Sequence, residues 1–201
     1  MVEFIVKGGV FMYPIMLCSI LSLAIFLDKL WHLREKKNIP QPFLQEIGAL
    51  LQENKIEEAR ELCRQNHSTI SRILFAGINQ HGKKREVIKE RIEEVGRREA
   101  SLLDRYIEAL STVASVSTLL GLLGTISGMI KIFSVISSER VVNPSNLAGG
   151  ISEALYTTAA GLSVAIPTIV FYRYVSGRSH ALVMQMEEYA THMIELVKEK
   201  E

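Results

Sequence analysis

From Ala154 to Tyr172 the chain reads ALYTTAAGLSVAIPTIVFY, an apolar run without a single charge that begins directly after Glu153 and ends directly before Arg173. A helix rises about 1.5 Å per residue and needs roughly 20 mostly apolar residues to cross the hydrocarbon of a bilayer, so this run nearly meets the requirement of a membrane span. Glu153 then lies at or just inside one end of the span. An ionisable group in a membrane costs on the order of 3 kcal/mol at the midplane unless it faces protein or water, which makes Glu153 a candidate functional group. The plainer alternative is a solvated interfacial cap. Thr157 and Thr158 follow it by four and five residues, and Ala154, Ala159, Ala160, Gly161, Ser163 and Ala165 keep the surface small enough for close helix approach or a narrow polar seam. The threonines also have an ordinary use in back-bonding to their own helix. Pro167 removes one backbone donor deep in the span and is expected to bend it.

Two further runs have the same character. Val10 to Leu27 is uncharged, preceded by Gly8 and Gly9 and closed by Asp28, Lys29 and Trp31, residues suited to a membrane interface. It is too long for a signal-peptide core and lacks a basic leader with a small-residue cleavage site, so it is expected to remain as the first span. Ala109 to Ile130 supplies the second. Ser111, Thr112, Ser115, Ser117, Thr118, Thr125 and Ser127 make that span too hydroxylated for a lipid-facing helix, and it is expected to face other helices or a pore. Lys131 follows it and is expected to snorkel to the interface.

Residues 28–105 hold 16 Lys/Arg and 13 Asp/Glu. After the break at Asn38 to Pro42, apolar residues recur at helical spacing, predicting short helices over Phe43–Gln52, Lys55–Gln65 and Ser68–Gln80, with Leu50/Leu51, Ala59/Leu62 and Ile70/Ile73/Leu74 facing inward. From Arg85 to Ile136 there is no proline, predicting one helix of about 50 residues, roughly 75 Å long, that runs on into the second span. Its polar part is expected to pair Glu93 with Arg97 and Glu94 with Arg98. The basic excess places residues 28–105 and the C-terminal tail on the cytoplasmic side, with the N-terminus and Ser137–Ser145 outside. Acids interleave the bases throughout, which argues against nucleic acid as a partner. Cys18 lies in an apolar run and Cys63 in a charged one, so both are read as free thiols. The five histidines show no metal-ligand spacing, and no metal or cofactor is expected.

The segment Leu120-Gly121-Leu122-Leu123-Gly124-Thr125-Ile126-Ser127-Gly128-Met129-Ile130 resembles the second-span motif of the ExbB/TolQ/MotA proton-channel family. Gly150-Ile151-Ser152-Glu153-Ala154-Leu155, with Thr158, Gly161, Leu162, Ala165, Ile166 and Pro167, resembles its third-span motif, and the two occur in the family's order. A single span before the cytoplasmic region is similar to the ExbB/TolQ branch rather than to flagellar MotA. The resemblance implies an all-α polytopic protein of the bacterial inner membrane with long cytoplasmic helical extensions. Its divisions are 1–30 (periplasmic tail and first span), 31–108 (cytoplasmic helical region), 109–136 (second span), 137–146 (short periplasmic loop), 147–173 (third span) and 174–201 (cytoplasmic C-terminal helix).

By the same resemblance the subunit forms a homopentamer around an ExbD/TolR-like single-span partner whose aspartate carries protons. A TonB/TolA-like effector takes up the work. Thr125, Glu153 and Thr158 would line the proton path, Pro167 would shape the cytoplasmic half of the third span, and Gly121, Gly124, Gly128, Ala160 and Gly161 would permit close packing. The activity implied is transduction of the proton motive force, not catalysis. An intramembrane hydrolase built on Ser163 fails on motif, because Gly161-Leu162-Ser163-Val164 has no nucleophile-elbow setting and no histidine lies in a span. A non-conducting membrane scaffold is the remaining alternative.

Overall fold

The computed structural model describes residues 8–138 and 144–198; the expected tail at 1–7, residues 139–143 of the expected connection and residues 199–201 lie outside it. Every regular element among the described residues is an α-helix, so the all-α expectation is met. In chain order they are α1 (Met12–His32), α2 (Glu35–Asn38), α3 (Gln41–Gln52), α4 (Ile56–Gln65), α5 (Thr69–Ile78), α6 (Arg85–Asp104), α7 (Ile107–Ser138) and α8 (Pro144–Lys198). Among the described residues, three stretches are long and apolar enough to cross a membrane: α1, the consecutive α6 and α7 from Arg85 to Ser138, and Leu147–Met193 within α8. Two compact units result, one from α1 up to Asp28 with Tyr106–Tyr174, the other from Lys29–Arg105 with Val175 onward.

The second unit is a small helical core. Its short helices fall where the periodicity put them, and α5 is its hub: Thr69, Ile70, Ser71, Ile73, Leu74, Ala76, Gly77 and Ile78 are all buried, packed against α4 and α6. Ser68 caps it by accepting from the Ser71 amide at 3.3 Å. Gly77 lets α6 approach closely, since a Cβ there would stand 2.5 Å from Ile92 Cδ1. Buried polar groups in this core are satisfied in sets. Asn38 donates to the His32 and Arg34 carbonyls at 2.8 and 3.0 Å and accepts from the Thr69 hydroxyl at 2.8 Å, joining α2 to the start of α5. Glu99, only 6% exposed, is gripped at both oxygens by Arg72, 2.8 Å from Nε and 2.5 Å from Nη2. Both cysteines are free and buried. Burial pushes the Cys63 thiol up to about 12, with the hydrogen bond to Ser71 opposing the shift.

Two expectations are corrected here. The single helix from Arg85 to Ile136 is in fact two, broken at Arg105 and Tyr106, with Tyr106 at φ +68°. A left-handed tyrosine costs roughly 1–2 kcal/mol, and no glycine or proline advertises the break. Its cause is tertiary. The buried Lys29 donates to the Leu103 carbonyl at 2.9 Å, placing a cation on the last turn of α6, and the Ser179 hydroxyl donates to Asp104 Oδ1 at 2.7 Å. These partners come from far away in sequence, so the end of α6 is fixed by the fold and not by its own residues. The surface pairs also differ: Glu93 meets Lys89 at 3.6 Å and Glu94 meets Arg91 at 2.5 Å, each choosing its upstream neighbour. Exposed pairs at either spacing are worth only about 0.3–0.5 kcal/mol, so small rotamer differences decide between them.

Gly48 lies inside α3 with nothing within 4 Å of where its Cβ would be. Gly48→Ala should therefore raise stability by about 0.5–1 kcal/mol, whereas Asn38→Ala, which strands the partners of a buried amide, should lower it by about 1–3 kcal/mol. Thermal unfolding of the detergent-solubilised protein, followed by circular dichroism, measures both signs.

Candidate functional site

The seam between α7 and α8 is built from absent side chains. From Ser117 onward the buried positions on α7 are Ser117, Gly121, Gly124, Gly128 and Ile132, spaced by four, three, four and four. A Cβ at Gly121 would sit 3.3 Å from Thr158 Cα and 3.4 Å from Gly161 Cα; one at Gly128 would sit 2.8 Å from both Ala154 Cβ and the Gly150 carbonyl. At Gly124 it would run into the Thr157 side chain, and at Gly161 it would stand 2.6 Å from the Ser117 carbonyl. As numbers rise on α7 their partners on α8 fall, so the two helices are antiparallel and in near-backbone contact over four turns. α1 lies against the same pair, with Met12 and Ile15 packed on Ala160 between Leu120 and Val164. Further along, Phe26 stacks on Phe171 with centroids 4.1 Å apart, so α1 and α8 run parallel.

Close approach lets hydroxyls cross the seam. Thr158 Oγ1 donates to the Gly121 carbonyl at 2.9 Å, and Ser117 Oγ donates to the Gly161 carbonyl at 3.1 Å, a reciprocal pair about the two glycines. Such bonds in an apolar setting are each worth on the order of 1 kcal/mol. Thr158 is thus not back-bonded, whereas Thr125 is: its hydroxyl donates to the Leu122 carbonyl on its own helix at 2.6 Å. Each hydroxyl proton is already committed. What Thr125 and Thr158 retain for any further partner is acceptor lone pairs. Pro167 lies within α8, which continues past it, and the buried Thr168 hydroxyl donates to the Val164 carbonyl at 2.7 Å beside it.

Glu153 stands at the end of the unit where α1 begins. Its two oxygens lie 2.5 and 2.7 Å from Lys131 Nζ, and its side chain is 20% exposed against 55% for the lysine. Gly9 closes over the carboxylate from α1's start. Its φ of +70° favours glycine, and a Cβ there would meet the Glu153 carboxylate, the movable end of that side chain. The wholly buried Thr157 hydroxyl lies 2.7 Å from the Gly8 carbonyl and 2.8 Å from that of Glu153, tying the Gly8–Gly9 turn to α8. Among the described residues no cluster of three or more His, Cys, Asp or Glu side chains is present that could hold a metal ion.

The structure therefore brings Glu153 together with Lys131, Thr157 and the Gly8–Gly9 turn, and Thr158 together with Gly121; it does not join Thr125 to either by a hydroxyl bond. Sequence reasoning missed the role of Lys131 as a partner and of Ser117 and Thr157 as cross-braces. The signal lay in the register: once Gly128 faces Ala154, Lys131 falls beside Glu153.

The model of the MotA/TolQ/ExbB proton channel family matches residues 65–188, which include the second unit's α5 and α6 as well as the seam. The chain belongs to that family. It is similar to a putative biopolymer transport protein ExbB-like 3 of Synechocystis, 30% identical over 195 residues that cover 94% of this chain and 91% of the relative. It is similar to the Tol-Pal system protein TolQ of Haemophilus influenzae, 40% identical over 85 residues, 42% of this chain and 37% of that one. A biopolymer transport protein ExbB of Pseudomonas putida is 25% identical over 92% of this chain and 58% of its own length. The ExbB/TolQ branch is the one these relatives define, and with three apolar helices the chain is a multi-pass membrane protein of that branch.

Gly161→Ala places its new methyl 2.6 Å from a backbone carbonyl that has no rotamer to change. It should cost about 1–3 kcal/mol of stability, and Gly161→Leu more, read as a falling midpoint of thermal unfolding and a falling yield of folded protein. Unchanged midpoints in both variants would mean that α7 and α8 are not in backbone contact there.

Proposed function

We propose that the chain is the proton-channel subunit of an inner-membrane motor that uses the proton motive force to drive an envelope process, such as TonB-dependent import or Tol-type envelope maintenance. The observation that carries this reading is Glu153, a partly shielded carboxylate that opens the longest uncharged run of the third span with the Gly9 backbone close beside it. With Thr125 and Thr158 it supplies oxygen acceptors on the second and third spans. The chain has no Asp or Glu deeper in its spans, so an ExbD/TolR-like single-span partner supplies the aspartate that carries the proton, within a homopentamer whose work passes to a TonB/TolA-like effector. Pro167 shapes the cytoplasmic half of the third span. One charge crossing 100 mV releases about 2.3 kcal/mol, so a few protons suffice for a conformational or rotary step without covalent chemistry.

The orientation that goes with this places the N-terminus and the 137–146 loop in the periplasm, and residues 31–108 and 174–201 in the cytoplasm, on the strength of the basic bias in 28–105. A second reading, a non-conducting scaffold, draws on the spending of the Ser117 and Thr158 hydroxyls on interhelical bonds. The two readings part on flux.

Labelling of introduced cysteines in intact spheroplasts checks the orientation: Ser138→Cys should react with an impermeant reagent and Asn54→Cys should not, and the opposite pattern reverses the topology. For the function, Glu153→Gln and Thr158→Val should leave the complex with its partner assembled while reducing potential-driven proton uptake into vesicles at least tenfold, and Thr158→Ser should keep part of it. Wild-type uptake in both variants removes these residues from the path. Absence of uptake in the wild-type complex, with the complex intact, establishes the scaffold.

A further inference from the structure

The grip of Lys131 on Glu153 has no part in the reading above. A snorkelling lysine would extend its ammonium into water; this one turns across the seam and spends two donors on both oxygens of one carboxylate, at 2.5 and 2.7 Å. The Gly9 backbone comes so near Glu153 Oε1 that a Cβ there would meet the carboxylate, and one turn along α8 Thr157 pins the same turn through the Gly8 carbonyl. Among the described residues, the Lys131 ammonium from α7 and the uncharged Gly8–Gly9 turn ahead of α1 lie against the Glu153 carboxylate. An ammonium held at both oxygens fixes a flexible side chain in one rotamer, where an ungripped glutamate at a span end swings outward to water.

We infer that Lys131 is a positioning residue for proton entry: it holds the Glu153 carboxylate against the Gly8–Gly9 turn, aligned with the seam, until a proton arrives. The inference rests on the reading of Glu153 as part of the path. Protonation of one oxygen removes the carboxylate charge and leaves the ammonium with a neutral acceptor, so the two-point ion pair weakens to a single ordinary hydrogen bond and the arriving proton itself loosens the clasp. The proton binds the carboxyl group and then leaves it for the partner's aspartate, which restores the carboxylate and its ion pair; the lysine keeps its charge throughout.

The test uses the full chain assembled with its single-span partner in vesicles, comparing Lys131→Arg, Lys131→Met, Glu153→Gln and the exchange Lys131→Glu/Glu153→Lys. Lys131→Arg should retain at least half of the wild-type proton uptake and Lys131→Met less than a tenth, with both complexes intact. The exchange should restore assembly and re-form the ion pair yet stay below a tenth of wild-type uptake, because its carboxylate now projects from α7. A second readout is independent of flux: with ¹³C-carboxyl glutamate, the infrared difference between wild type and Glu153→Gln isolates the Glu153 carboxylate stretch, and that stretch should shift in Lys131→Met and stay near the wild-type position in Lys131→Arg. Wild-type uptake in Lys131→Met, wild-type uptake in the exchange, or an unshifted stretch in Lys131→Met would each overturn the positioning role. Should Lys131→Met fail to assemble, the exchange and the Lys131→Arg spectrum decide the matter alone. Wild-type uptake in Glu153→Gln would instead sink the underlying reading of Glu153 and is separable from all of these.

Discussion

Backbone-to-backbone contact between α7 and α8 is the constraint on which the membrane unit depends. Lipid tails are as apolar as leucine, so helices gain little from hiding leucines from them and associate instead through close packing and interhelical hydrogen bonds. Glycine at 121, 124, 128 and 161 brings the two backbones together, and only then do Ser117 and Thr158 reach carbonyls on the facing helix. The same closeness fixes the register that sets Lys131 beside Glu153. A polar pair that would be costly in hydrocarbon thereby becomes a satisfied one, with α1 fastened over it through Gly8 and Gly9.

In the second unit the polar groups play a different part. Water is at hand there, and the apolar face of α5 provides the driving force. Asn38, Thr69, Arg72 and Glu99 then act as locators, because each is satisfied in one arrangement only and a displaced helix would leave a buried donor or acceptor unpaired. Lys29 extends this logic to a helix end. It carries its charge into the core and finds the carbonyl of Leu103, where an outward-pointing dipole otherwise goes unanswered.

Much of this architecture was legible before any coordinates. The three apolar runs, the short helices α3 to α5 and the inward faces at Ile70, Ile73 and Leu74 follow from periodicity and length, which are local properties. The glycine pattern and Glu153 stood out for the same reason. What escaped depends on pairing across distance: the break at Tyr106 is set by Lys29 and Ser179, and the clasp on Glu153 needs the antiparallel register that only the folded seam supplies. Lys131 read locally is an ordinary interfacial lysine. Thr157 and Thr158, adjacent and chemically identical, were indistinguishable in sequence, yet one holds α1 and the other holds α7.

The thiol of Cys63 has a bearing on how the protein weathers oxidants. With burial pushing the thiol up to about 12, little of it is thiolate at neutral pH, and thiolate is the nucleophile that attacks peroxide and disulfides. The neighbouring Ser71 hydroxyl meanwhile donates to the Cys63 carbonyl at 2.6 Å, so the backbone carrying the thiol is anchored as well as buried. Sulfenic acid or a glutathione adduct at this position would require the core to open first. The core around α4 and α5 is therefore protected against redox damage for as long as it stays folded, and the appearance of an oxidised Cys63 would be a chemical record of unfolding.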